Sequence, residues 1–235
     1  GFRPLIEISN HLNYFPELVN VLGDDVTNEL HRVALLCTNK SIGIWNDNKY
    51  SSSGLANIIP LTNEQQEAQT NVLKNMMNSL LNQNNDIIIE NITKLIKRIE
   101  NNSHSLSVEH KDRLFPHVTN VILRLYKDFP NDSGCLFPLL LNTVIMQPGE
   151  AMYLAANEPH AYICGDIVEC MALSDNVVRA GLTPKFKDKD TLIRMLTYRC
   201  AEVAYCTSKT IDSNTQLFRP PYEGFPEFEV ECITV

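Results

Sequence analysis

Apolar residues recur at helical spacing through the first 130 residues, and that period ends near Gly134. Val72, Met76 and Leu80 follow one another every four residues, with Leu73, Met77 and Leu81 alongside, and Ile88, Ile92, Leu95 and Ile99 repeat the spacing. Stripes of this kind put apolar side chains on one face of a helix. Thr62 and Gln65 form a capping-box pattern ahead of the first stripe. Further helical segments are predicted over 2–22, interrupted at Pro16 and stopped at Gly23, over 28–38 and over 118–129. Residues 40–61 are ambiguous, and 101–107 reads as a connection with Ser107 as a cap. Helix-on-helix packing accounts for all of these stripes.

Beyond Gly134 the texture is that of strands. Runs over 137–146 and 151–155 lead to a predicted hairpin, with strands at 160–164 and 167–173 joined by Gly165 and Asp166. Glycine at the first central position suits a type II′ turn, because it takes positive φ without a Cβ clash. Pairing across the turn sets Tyr162 opposite Glu169 and His160 opposite Met171. Alternation along the strands then puts His160, Tyr162 and Glu169 on one face. Ala161, Ile163, Val168, Cys170 and Ala172 fall on the other, which is expected to face a core. A helix over 190–198, a polar loop over 207–215 and a strand over 225–235 follow. A run of helices followed by a run of strands is an α+β arrangement, divided here into a helical domain (1–130) and a β domain (131–235).

The composition is that of a globular chain, with 44% hydrophobic and 20% charged residues. A net charge of −8 with no basic stripe argues against a nucleic-acid partner. A small anionic substrate needs only a few local cations and stays compatible. No apolar run approaches the roughly 20 residues of a membrane span. The seven cysteines include no CxxC pair and are odd in number. Reduced, mostly buried thiols in the cytoplasm are therefore expected. The sequence begins at Gly1 without an initiator Met and ends in an apparent strand, which reads as a fragment of a longer protein; a monomer is expected.

Most of the residues able to do chemistry lie in 149–186. On residue type and spacing alone, each has two readings. His160 is a metal ligand or a structural histidine. Arg179 is an active-site cation or the surface partner of Asp175. Glu169 is an acid–base group or a carboxylate that holds a hydroxyl or the fold. Tyr162 lines a pocket or is a half-buried aromatic. Lys185 is a sugar or phosphate contact, whereas Lys187 and Lys189 read as solvated charge.

The run 148–186, PGEAMYLAANEPHAYICGDIVECMALSDNVVRAGLTPKF, closely resembles the second signature of type I mannose-6-phosphate isomerases. Gly1-Phe2-Arg3-Pro4 and Pro220-Pro221 resemble two further segments of that family. The resemblance implies a cupin (double-stranded β-helix) core beside a helical insertion, here incomplete. It implies a zinc-dependent aldose–ketose isomerase that interconverts mannose 6-phosphate and fructose 6-phosphate, in carbohydrate metabolism leading to GDP-mannose. His160 would be a zinc ligand, Arg179 would stabilise an enediol-like intermediate, Glu169 is the candidate base, and Tyr162, Asp175 and Lys185 would meet the sugar phosphate. The family's other ligands are a Gln-x-His pair and a Glu, from a segment preceding the helical domain. No Gln-x-His occurs in this sequence, so those ligands are expected from an absent N-terminal segment, and the isolated chain is expected to be inactive. The alternative is a non-catalytic cupin that binds a sugar phosphate; a cupin dioxygenase would need a second strand histidine that this chain does not offer.

Overall fold

The apolar stripes become helices that bury them against one another. A computed structural model describes residues 1–38, 61–101, 115–174, 177–200, 203–220 and 227–234. Helices α1 (Leu5–Tyr14), α2 (Pro16–Leu22) and α3 (Asp24–Thr38) are followed by α4 (Asn63–Asn82), α5 (Asn85–Asn101) and α6 (Phe115–Asp128). Pro16 occupies the first turn of α2, where its missing N–H costs nothing, and Gly23 ends that helix at φ 85°. Helix α3 begins earlier than its apolar spacing predicts, because Asp24 and Asp25 complement the positive end of the helix. The capping box forms as predicted: the Thr62 hydroxyl accepts from the Gln65 N–H, and the Gln65 side chain accepts from the Thr62 N–H. Val72, Leu73, Met76, Leu80, Ile92 and Leu95 are all buried in one core. Arg98 clasps buried Glu17 through Nε (2.8 Å) and Nη2 (2.7 Å), tying α5 to α2.

Residues 137–146 do not form the predicted strand. A 3₁₀ helix spans Ser133–Leu139, with the Asp132 side chain accepting from the Gly134 N–H at its start. A short apolar run fits either element, and Pro138 inside it lacks the N–H that a strand ladder uses. Strand β1 (Ala151–Tyr153) pairs antiparallel with β2 (Ala204–Cys206). Helix α7 (Lys189–Met195) lies between them in sequence. The segment expected as a polar loop contains β3 (Lys209–Thr210), which pairs with β4 (Thr215–Phe218), and β4 pairs with β5 (Val230–Ile233) in a three-stranded antiparallel sheet. The architecture is α+β, helices first and small antiparallel sheets after.

The first four residues join the two textures. Phe2 is fully buried, bridges Leu141 on one side and Cys200 on the other, and stacks on Tyr198 at 5.7 Å. The Arg3 guanidinium, 2% exposed, donates to Pro138 O, Glu7 Oε2 and Thr143 Oγ1.

Two further expectations are corrected. No strand forms within residues 160–173. Ala161, Cys170 and Ala172 are exposed, Val168 is 88% exposed, and only Ile163 of the expected inward face packs against the core. An apolar face settles a strand only when something covers it. The thiols are not mostly buried either: no disulfide joins any of the seven, Cys37 and Cys135 are buried, and Cys164, Cys170 and Cys232 are exposed. No helix among the described residues is long and apolar enough to cross a membrane. Residues 40–60, Ser107 and Asp175 lie outside the described residues.

Candidate active site

His160, Tyr162 and Glu169 come together without a strand ladder. Gly165 takes φ +99°, the positive value expected of the turn between them. The Tyr162 hydroxyl donates to Glu169 Oε1 at 2.6 Å. The His160 and Tyr162 rings lie 5.8 Å apart, tilted by 58°. Burial, and then the Glu169 carboxylate that holds the phenolic proton, push Tyr162 up to about 12. His160 Nδ1 lies 2.9 Å from Glu158 O. An Nδ1–H donated to a backbone carbonyl leaves the lone pair on Nε2, the arrangement common to metal-ligating histidines.

The backbone leading into His160 is anchored by two segments distant from it in sequence, one around Gly1 and one over 197–199. The Gly1 nitrogen donates to Pro159 O at 3.1 Å. Arg199 forms an ion pair with Glu158, and the Thr197 N–H donates to Asn157 O at 3.1 Å. Asn157 itself sits at φ 61°.

Arg179 and Lys185 sit on a loop whose ends are joined by the Asp188 N–H donating to Arg179 O at 2.8 Å. Arg179 Nη1 donates to Val177 O at 3.4 Å. The Lys185 N–H donates to Thr183 Oγ1 at 3.1 Å, and its side chain is exposed. Among the described residues, no hydrogen bond or ion pair joins Arg179 or Lys185 to His160, Tyr162 or Glu169. The structure thus brings three of the predicted residues together and places two more on a loop that follows them in sequence.

Lys187 and Lys189 are not solvated charge. Lys187 pairs with Asp132, and Lys189 Nζ donates to Leu81 O at 2.5 Å, near the end of α4. Both line a cavity of about 230 Å³ with Asp132, Ser133 and Ala180. Asp132 escaped the sequence reading because its partner lies 55 residues away, beyond any local pattern.

Among the described residues, no group of three or more His, Cys, Asp or Glu side chains is placed to hold a metal ion, and His160 is the candidate ligand that the site presents.

Residues 50–141 match the family model of the phosphomannose isomerase type I helical insertion domain. The mannose-6-phosphate isomerase of Candida glabrata is 40% identical over 97% of this chain and 49% of its own length. That of Rattus norvegicus is 34% identical over 98% of this chain and 48% of its own. The chain therefore spans about half the length of the curated relatives it matches. A mannose 6-phosphate isomerase from Salmonella typhimurium, solved with its substrate and zinc bound, superposes with a TM-score of 0.59 at 23% identity, over 95% of this chain and 44% of that one. The apo form of the same enzyme gives 0.60 at 24% identity. With the helical half, the signature around His160 and this shared architecture in agreement, the chain belongs to the type I phosphomannose isomerase family.

Proposed function

We propose that these residues form the helical and central part of a cytoplasmic, zinc-dependent isomerase that interconverts mannose 6-phosphate and fructose 6-phosphate. The portions 1–130 and 131–235 would be its helical insertion and part of its cupin core. The observation that carries the reading is the junction of His160, Tyr162 and Glu169 on one exposed surface, in a chain 40% identical to a mannose-6-phosphate isomerase. Seven cysteines without a disulfide fit a reducing compartment.

Isomerisation of an aldose phosphate moves a proton between C1 and C2. Glu169 is the proposed base, with the Tyr162 hydroxyl holding its Oε1 and so leaving Oε2 to face the substrate. A positioned base of this kind contributes roughly 10²–10⁴-fold. Arg179 offers fixed positive charge to the oxyanion that develops as the proton leaves. Lys185, on the exposed tip of its loop, is proposed to meet the phosphate, and Asp175 a sugar hydroxyl. A zinc ion, when bound, supplies Lewis-acid polarisation of the sugar oxygens. His160 is its proposed ligand from these residues. A zinc site takes three or four ligands, so the others are proposed to come from polypeptide outside the 235 residues.

The test uses the complete protein. Arg179→Ala is expected to lose most turnover in a coupled isomerase assay while retaining zinc, and His160→Ala is expected to lose zinc. Near-normal turnover of Arg179→Ala overturns its assigned role. A complete protein that binds a sugar phosphate but neither holds zinc nor isomerises it establishes the non-catalytic reading instead.

A further inference from the structure

Arg179 and Lys185 both lie on the loop closed between Arg179 and Asp188, and that loop meets the rest of the molecule at Asp132 as well as through Ala180 and Leu182. The Asp132 carboxylate, mostly buried, accepts from the Gly134 N–H through Oδ1 at 2.8 Å and pairs with Lys187 through Oδ2. Gly181 lies against the same group. A Cβ added to Gly181 would sit 2.9 Å from Asp132 Oδ1 and 3.4 Å from Gly134 Cα. A Cβ on Gly134 would sit 2.6 Å from Leu182 Cγ. Two backbones thus meet where neither can carry a side chain. Leu182 is driven to φ 54° and packs against the core, and Ala180 is buried. Pro184, Lys185 and Phe186 project into solvent between these fastenings.

The spacing is what makes this arrangement consequential. Arg179 is two residues from the Gly181 contact, and Lys185 is two residues from Lys187. One carboxylate therefore meets both arms of a loop that carries two cations, pairing with Lys187 on one and packing against Gly181 on the other. We propose that Asp132 and Lys187 are positioning residues that set the separation of Arg179 and Lys185, and hence hold the developing oxyanion and the phosphate of one substrate at the distance the reaction needs. The proposal rests on the reading of Arg179 and Lys185 given above. Neither Asp132 nor Lys187 touches substrate; they act through the loop. Misplacement of a reacting group by about 1 Å is enough to cost on the order of 10²-fold in rate, so loss of a tether is felt in catalysis.

The experiment compares Lys187→Gln, Lys187→Arg, Asp132→Asn and the double variant Asp132→Asn/Lys187→Gln in the complete, zinc-loaded protein. Lys187 is one-third exposed, and a neutral glutamine there removes the ion pair without leaving a buried void. Lys187→Gln is expected to lower kcat/KM about tenfold or more, within the range that misplacement allows, with kcat reduced, KM for the phosphorylated sugar raised and zinc content unchanged. Lys187→Arg restores most of the loss, since it restores the pair. The double variant is no worse than the more damaged single one, since both singles break one tether. Lys187→Gln with unaltered kcat and KM overturns the proposal, as does Lys187→Arg as damaged as Lys187→Gln, which would make Lys187 itself a substrate contact. Arg179→Ala measured alongside separates the two layers. If it loses turnover while Lys187→Gln does not, only the positioning proposal falls; if it keeps turnover, the reading beneath it falls too.

Discussion

The Tyr162 hydroxyl donates to Glu169 Oε1 across 2.6 Å, although the backbones that carry the two residues form no ladder. Side-chain pairing here replaces the main-chain pairing that was expected. The contact has a spectroscopic consequence. Burial and the adjacent carboxylate push the phenol up to about 12, so Tyr162 is expected to titrate well above an ordinary phenol. The difference between the ultraviolet titration curves of the native protein and Tyr162→Phe isolates that one phenol. Its midpoint is expected near 12, and a midpoint at the ordinary value of 10.0 contradicts the geometry. Tyr162 is still about half exposed, at 53%, so loss of this hydrogen bond should change stability by only about 1 kcal/mol.

Arg3 is the buried cation on which the junction between helices and later chain rests. Its guanidinium donates to Pro138 O, Thr143 Oγ1 and Glu7. Arg3→Met is expected to cost about 3–5 kcal/mol, since removing one member of a buried polar set strands the others. Arg3→Lys recovers only part, because an ammonium cannot span three acceptors in fixed planar geometry. Urea unfolding of the two variants measures both; a loss below about 1 kcal/mol for Arg3→Met contradicts the assignment.

The Thr62 cap is a smaller and cleaner case. Thr62→Ala removes the acceptor for the Gln65 N–H, and caps of this kind contribute about 1 kcal/mol. Thr62→Ser keeps the hydroxyl and should be close to neutral. Gln65 is also held to Leu36 O at 2.9 Å, so Gln65→Ala is expected to cost more than Thr62→Ala. Denaturant midpoints that rank the two in the opposite order rule this out.

Alkaline pH should weaken the fold in a defined window. Burial pushes Cys135 and Cys200 from their ordinary 9.0 to about 12, and Tyr198 from 10.0 to about 12. A group whose pKa is raised by folding contributes stability that is complete below its unfolded value and is lost as pH climbs to the folded one. Stability is therefore expected to decline between about pH 9 and about pH 12. Replacing Cys135 by Ala should lessen the decline, since one of the contributing groups is gone. An equally steep fall in Cys135→Ala contradicts the attribution.

The helices were legible because their information is local. Val72, Met76 and Leu80 repeat at the period of the element they form, and Thr62 and Gln65 announce its first turn within four residues. The site was legible only in part. Tyr162 and Glu169 were placed opposite one another by counting back from Gly165, and their side chains do meet. Their backbones did not become strands, because strand formation depends on what covers Val168 and its neighbours, and no local pattern carries that. The run 137–146 misled for a related reason: the apolar pattern is the same for a strand and for a tight helix, and Asp132 and Pro138 decided between them.

What the sequence determined by itself is periodicity, capping and the run of residues shared with relatives, all of which depend on neighbours a few positions apart. What only the tertiary structure decided is which distant groups meet: Asp132 with Lys187, Arg3 with Thr143, Gly1 with Pro159. Each joins residues that are far apart in sequence. Whether such groups come close depends on how whole elements pack, because burial and charge pairing act through space and leave no period along the chain.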